Sequence, residues 1–317
     1  MAATGGAFAQ SVLTGDFGFG YASSTSAASG TANGMGVTDA DIYWAASEAL
    51  DGGAKIGVNL ALDLSAASTA YGAGAIVGDQ TMTYTSASGL KVVVGSVRGG
   101  DYLSGGIAAA GSGYNHTLDG KLFSTRSNKD QITVSLPVAE GVTLSFAHRE
   151  PGTGDGAGAA SDGSTVTAAR DSTVGLKYAN GPLVVDGGYR VIDGTSLTST
   201  TLGSSLNRAS ASYDMGVAKI GAGYSTTVYG YGNSITDTLV GITVPVSSAL
   251  SLGAQMGYRA KSGYATSSLN TTMVGSIYSA AYTLSKRTSF LASFIAYDAV
   301  ANTTQTTGFA AKLLTTF

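Results

Sequence analysis

Cysteine is absent from this chain of 317 residues, and proline occurs only four times, at Pro137, Pro151, Pro182 and Pro245. A chain without thiols suits an oxidising compartment, where a stray cysteine is a liability. Charge is scarce as well: 17 basic and 20 acidic residues make 12% of the chain, with a net charge of −3. An ordinary soluble domain carries about 25%. The balance argues against a nucleic-acid partner, which calls for a basic stripe. No apolar run reaches the roughly 18 residues of a membrane-spanning helix. The 46 glycines follow no Gly-X-Y period, which excludes collagen. No phosphate loop, no His-Glu-x-x-His and no convergent catalytic triad is legible, so the chain reads as a non-enzyme.

What is present is short, repeated alternation. Residues 55–64, KIGVNLALDL, place Ile56, Val58, Leu60, Leu62 and Leu64 on one face and Lys55, Asn59 and Asp63 on the other. Residues 182–192, 208–215 and 219–228 alternate in the same way, and period two means strands. Such segments centre near residues 17, 42, 60, 82, 93, 134, 145, 174, 187, 211, 223, 240, 256, 278, 293 and 312, which makes sixteen. Short connections such as 86–89, 138–141, 180–182, 215–217, 246–248 and 285–287 alternate with long ones, the longest over 98–128. Residues 1–9 end in Ala7-Phe8-Ala9, the small-x-small form of a signal-peptidase site. They read as a leader remnant or a plain Ala/Gly-rich tail, with 10–317 as one domain.

A sheet of this size cannot stay open without two exposed edges, and in hydrocarbon closure is compulsory. The segments have about the 9–11 residues that a tilted strand needs to cross the apolar layer. Their second face carries Ser, Thr, Gly, Asp, Lys and Arg rather than core residues. The fold class predicted is therefore all-β, a sixteen-stranded antiparallel transmembrane β-barrel with a wet interior. Residues 276–300 predict Tyr278, Ala280, Tyr282 and Leu284 facing lipid. For the next strand two registers compete, one with Phe290 and Phe294 outward and one with Leu291 and Ile295 outward. Tyr178, Tyr213, Tyr282 and Phe317 near short turns, and Tyr189 and Tyr258 near long loops, are placed to form aromatic girdles.

The end of the chain, GFAAKLLTTF, alternates Phe309, Ala311, Leu313, Thr315 and Phe317. The start, SVLTGDFGFGYA, puts Leu13, Phe17, Phe19 and Tyr21 on one face. With these, the chain resembles the general diffusion porins of Gram-negative outer membranes, the short-chain trimeric type of purple bacteria and relatives, over nearly its whole length from Ser11. The resemblance implies short periplasmic turns, long external loops and an assembly signal at Phe317. It implies a homotrimer in outer-membrane lipid and lipopolysaccharide, passing small hydrophilic solutes and ions. It also implies a third long loop, here 98–128, folded inward as a constriction that carries Arg98, Asp101, Asp119, Lys121 and Arg126. That loop lacks the acidic cluster and Pro-Glu-Phe-Gly-like turn of many general porins.

Candidate lumen residues fall into two groups. Asp16, Asp39, Asp41 and Asp63 are inward acids on early strands, and Arg149, Arg190, Arg208 and Arg259 are inward bases on later ones. Two such walls would set up a transverse field, with scattered solvation as the plain alternative. No cofactor is required. Asp39 and Asp41 are candidate ligands for a structural Ca²⁺, against simple solvation. A substrate-specific pore on the same barrel and an extracellular β-rich adhesin or structural protein are the rival readings.

Overall fold

The computed structural model describes residues 10–26, 30–64, 76–98, 117–118, 121–123, 128–150, 169–194, 203–230, 232–264, 269–298 and 305–317. Sixteen strands follow one another. The first eight are β1 (Gln10–Ser26), β2 (Gly30–Ala49), β3 (Lys55–Asp63), β4 (Ile76–Thr85), β5 (Lys91–Arg98), β6 (Asn128–Ala139), β7 (Val142–Glu150) and β8 (Ala169–Asn180). The second eight are β9 (Leu183–Gly194), β10 (Gly203–Asp214), β11 (Lys219–Tyr229), β12 (Ser234–Pro245), β13 (Leu250–Ser262), β14 (Thr272–Thr283), β15 (Thr288–Asp298) and β16 (Gln305–Thr316). Each pairs antiparallel with its neighbours in sequence, and β16 pairs back onto β1, so the sheet closes into a barrel. Every segment expected from alternation is a strand.

The outward face is apolar and exposed in the isolated chain. It carries Phe17, Phe19 and Tyr21 on β1, Val185, Tyr189 and Val191 on β9, and Phe309 and Leu313 on β16. Such a continuous apolar belt around a closed sheet is stable in lipid rather than in water. On β15, Phe290 and Phe294 are the exposed pair, whereas Leu291 and Ile295 are buried inside. This settles the competing registers in favour of the first.

The short turns are built for a narrow reversal. Gly141 and Gly181 adopt φ of 70° and 55°, the left-handed region that a side chain would strain. At the closing seam the Gly15 amide donates to the Phe317 carbonyl at 3.0 Å, and the Phe317 amide donates back to Gly15 at 2.9 Å. A Cβ on Gly15 would stand 2.6 Å from the Phe317 ring, so the aromatic covers a glycine gap in the wall.

Most inward positions are polar, as alternation predicts, but one sector carries an apolar patch. Leu239, Met273, Ile277 and Ile295 point inward from β12, β14 and β15 and are fully buried. A wholly wet interior would leave these residues in water. They are covered instead by part of the longest connection.

Candidate functional site

Facing the lumen, β1, β2 and β3 carry a row of carboxylates. Asp16 is the register partner of Asp41, and Asp41 of Asp63. Like charges directly opposite one another destabilise a sheet unless water or a counter-charge screens them. Asp39, two residues from Asp41 in unbroken register, shares its inward side, and a bulge on β2 follows, pairing Gly18 with Asp39 and Phe19 with Val37. Asp39 accepts from the Thr38 hydroxyl at 2.7 Å and from the Lys312 ammonium on β16 at 2.8 Å. The Tyr43 phenol donates to Asp41 at 3.1 Å. Beside this row lies a recess of about 410 Å³, lined by Asp41, Tyr43, Asn59 and Asp63 and also by the outward residues Trp44, Leu60 and Leu62.

On the far side, β6 to β10 carry the opposite arrangement. Asp171 on β8 is 1% exposed and binds three cations. Arg149 Nε donates at 2.6 Å, Lys129 Nζ at 2.9 Å, and Arg190 Nε lies at 3.5 Å while donating to Thr173 at 3.3 Å. A charged side chain at such depth needs partners, and these three cations supply them. Arg208 follows on β10, with Nη2 3.7 Å from Asp186. In the closed strand order β2 and β10 stand half a circumference apart.

A third sector holds the described part of the longest connection, residues 117–118 and 121–123. The amides of Leu122 and Phe123 both donate to the Leu118 carbonyl, at 2.8 and 2.9 Å, making one tight turn. Leu118, Leu122 and Phe123 sink onto the inward apolar residues Leu239, Met273, Ile277 and Ile295, with Tyr297 beside them. Arg259 on β13 forms a two-point bond to Asp237, Nε at 2.6 Å and Nη2 at 2.7 Å. The Phe123 ring lies over its guanidinium at 5.8 Å. Lys121, on the same turn, is half-buried, and desolvation holds its ammonium below the usual lysine range.

The family model for Gram-negative porins matches residues 1–303. This chain belongs to that family. As a porin it is an outer-membrane β-barrel that passes small solutes and ions passively, and it is a transport protein rather than an enzyme. No curated protein sequence matches it significantly. Among solved structures it is similar to the anion-selective porin of Comamonas acidovorans, with TM-score 0.71 and 16% identity over 98% of this chain and 100% of that one. The outer-membrane channel DcaP of Acinetobacter baumannii gives TM-score 0.76 and 13% identity, over 100% of this porin and 99% of the other. An engineered variant of the Rhodopseudomonas blastica porin gives 0.65 and 15%, over 97% and 100%. At these identities the likeness is one of fold.

Of the residues singled out in the sequence, Asp16, Asp39, Asp41 and Asp63 come together on one wall. Arg149, Arg190 and Arg208 gather on the other. Arg259 faces inward but lies 3% exposed beneath the loop, away from both groups. Asp101, Asp119 and Arg126 lie outside the described residues, as do residues 1–9 and the side chain of Arg98. Lys129, Asp171, Asp186, Asp237 and Lys312 were missed. Parity alone places each of them inward, but their pairing depends on register between strands.

Among the described residues no group of three or more His or acidic side chains could hold a metal. A serine–histidine–glutamate line does exist on the outward face of this porin. Ser172 lies 3.0 Å from His148 Nδ1, and His148 Nε2 lies 3.5 Å from Glu150, which Arg170 also binds at 3.3 Å. The strand around Ser172 is laddered on both sides, which commits its amides to sheet bonding rather than to an oxyanion.

Proposed function

We propose that this porin sorts diffusing ions by a field directed across its lumen. The observation that carries the proposal is the row Asp16, Asp41 and Asp63 on β1 to β3, set apart from the Asp171 cluster on β6 to β9, with Asp41 and Asp171 six strands from each other in the ring of sixteen. Three cations on one carboxylate leave two positive charges in surplus around Asp171. On β1 to β3, four carboxylates meet one bonded ammonium, from Lys312. Cations then travel along the first wall and anions along the second, and dipolar solutes turn to match. The relative from Comamonas acidovorans is described as anion-selective, which is compatible with a dominant basic wall here.

The test is the zero-current potential across a planar bilayer under a salt gradient. Replacing Arg149, Arg190 and Arg208 together by Gln should move it toward cation preference. The shift should be largest near 0.01 M salt, where the Debye length is about 30 Å, and vanish near 1 M, where it is about 3 Å. An unchanged potential at low salt sinks the field.

Assembly as a homotrimer and contact with lipopolysaccharide belong to the same proposal, by analogy with the family. Chemical cross-linking in detergent to a three-chain band would support the first. No cofactor enters the mechanism. Calcium at Asp39 and Asp41 would have to displace the Lys312 ammonium, so an increase in thermal stability on adding Ca²⁺ would be its sign. A substrate-selective pore has one observation in its favour, the recess beside Tyr43 and Asn59, whose volume falls in the usual range for small ligands. Saturable block of conductance by a single solute class would favour it over free diffusion.

A further inference from the structure

We infer that the inner face of β12 to β15 is a dedicated seat for Leu118, Leu122 and Phe123 of the longest connection, and that Gly257 and Gly275 are its positioning residues. Arg259 belongs to this seat and not to the ion path. The glycines make the argument. Both face the lumen, because their neighbours Met256, Tyr258 and Val274 are the outward, exposed residues of β13 and β14. Gly257 and Gly275 are register partners, so together they form one shallow dip in the wall.

A Cβ on Gly257 would meet the ends of Leu118, Leu122 and Phe123 at 2.7, 2.8 and 2.8 Å. One on Gly275 would meet Leu118 at 2.7 Å and Leu122 at 3.2 Å. The dip is thus filled by three apolar side chains from one turn of the connection, ringed by Leu239, Met273, Ile277 and Ile295. In a water-filled barrel these inward apolar residues have no other use. Burying them against the turn removes that surface from water and fixes where the turn stands.

Arg259 closes the edge of the seat. Its charge is met by the two-point bond to Asp237, and Phe123 lies over its guanidinium. A paired, covered guanidinium adds no net charge to the lumen. The pair holds the aromatic ring, and the ring holds the turn.

The chain has no cysteine, so Leu122→Cys gives a unique probe of a buried position. A charged methanethiosulfonate should label it slowly in the otherwise native barrel. Adding Gly257→Val and Gly275→Val should raise the rate by roughly tenfold or more, since the seated state then gives way to an opened one. Single-channel conductance should change with it. Folding is checked by the compact band of unheated protein on a gel. An equal labelling rate in a folded barrel overturns the seat. Should the double variant not fold, Gly257→Ala alone carries the same expectation.

A second arm uses the charge-neutral exchange Arg259→Gln with Asp237→Asn. It should leave the zero-current potential at low salt where it was, and raise the labelling of Leu122→Cys. A shifted potential places Arg259 in the ion path and overturns that part. Conductance and potential rest on the diffusion reading, whereas labelling does not. A barrel that conducts nothing yet shows the labelling difference would sink that reading and keep the seat.

Discussion

Single side chains in this porin owe their state to the strand beside them. Asp171 is the clearest case: buried, with Arg149, Lys129 and Arg190 around its carboxylate. Removing one partner of a buried charged group leaves the others uncompensated, at a cost of about 3–5 kcal/mol. Asp171→Asn should therefore lower the thermal midpoint of the folded barrel in detergent, followed by loss of the compact band, far more than Asp63→Asn. Lys121 offers a pH test. Burial favours its neutral form, so its charge leaves the loop at a lower pH than an ordinary lysine's. On raising the pH, the zero-current potential should drift toward cation preference, and Lys121→Arg should delay that drift. At this scale the sequence told which face each charge takes, since period two decides that. It was silent on Asp171, because a cluster of four groups on four strands exists only once their register is known.

Among elements, the strands were legible and one face was not. β9, β10 and β11 alternate apolar and polar residues, and each lies as its pattern requires. β15 does not alternate: Phe290, Leu291, Phe294 and Ile295 make both faces apolar. The cause is now physical. Phe290 and Phe294 meet lipid, while Leu291 and Ile295 face inward, and Ile295 serves the seat of the connection. An inward apolar face is invisible to a rule that equates inward with wet. Likewise, the turn at Leu118 to Phe123 reads as a loop in sequence, and its apolar residues gain meaning only from the dip at Gly257. The seam is testable at this scale too. Phe317→Ala should reduce the fraction of compact barrel after refolding, Phe317→Tyr should restore it, and Gly15→Val should be worse than either. The Val side chain would meet both the Phe317 ring and the Asp41 carbonyl.

For the whole molecule, closure, even strand number and an apolar outside followed from backbone hydrogen bonding in lipid and from alternation. In the division of the lumen, the acidic and basic walls followed from which early and late strands carry inward charge, whereas the apolar seat did not, because it depends on which part of the connection comes to lie against β12 to β15. That division predicts a permeation difference between small solutes of equal size. A dianion should cross liposomes bearing this porin at a rate that falls with added salt, and a neutral sugar of similar bulk should not respond. The closed order has a consequence for time as well. All ladders but one join strands adjacent in the chain, and their partners meet after a short search. The ladder between β1 and β16 alone must bring together residues separated by almost the entire chain. Closure entropy rises only logarithmically with length, but it falls wholly on this one event. Assembly kinetics should then show a single late phase that responds to changes at Gly15 and Phe317 and is indifferent to changes in the turns opposite.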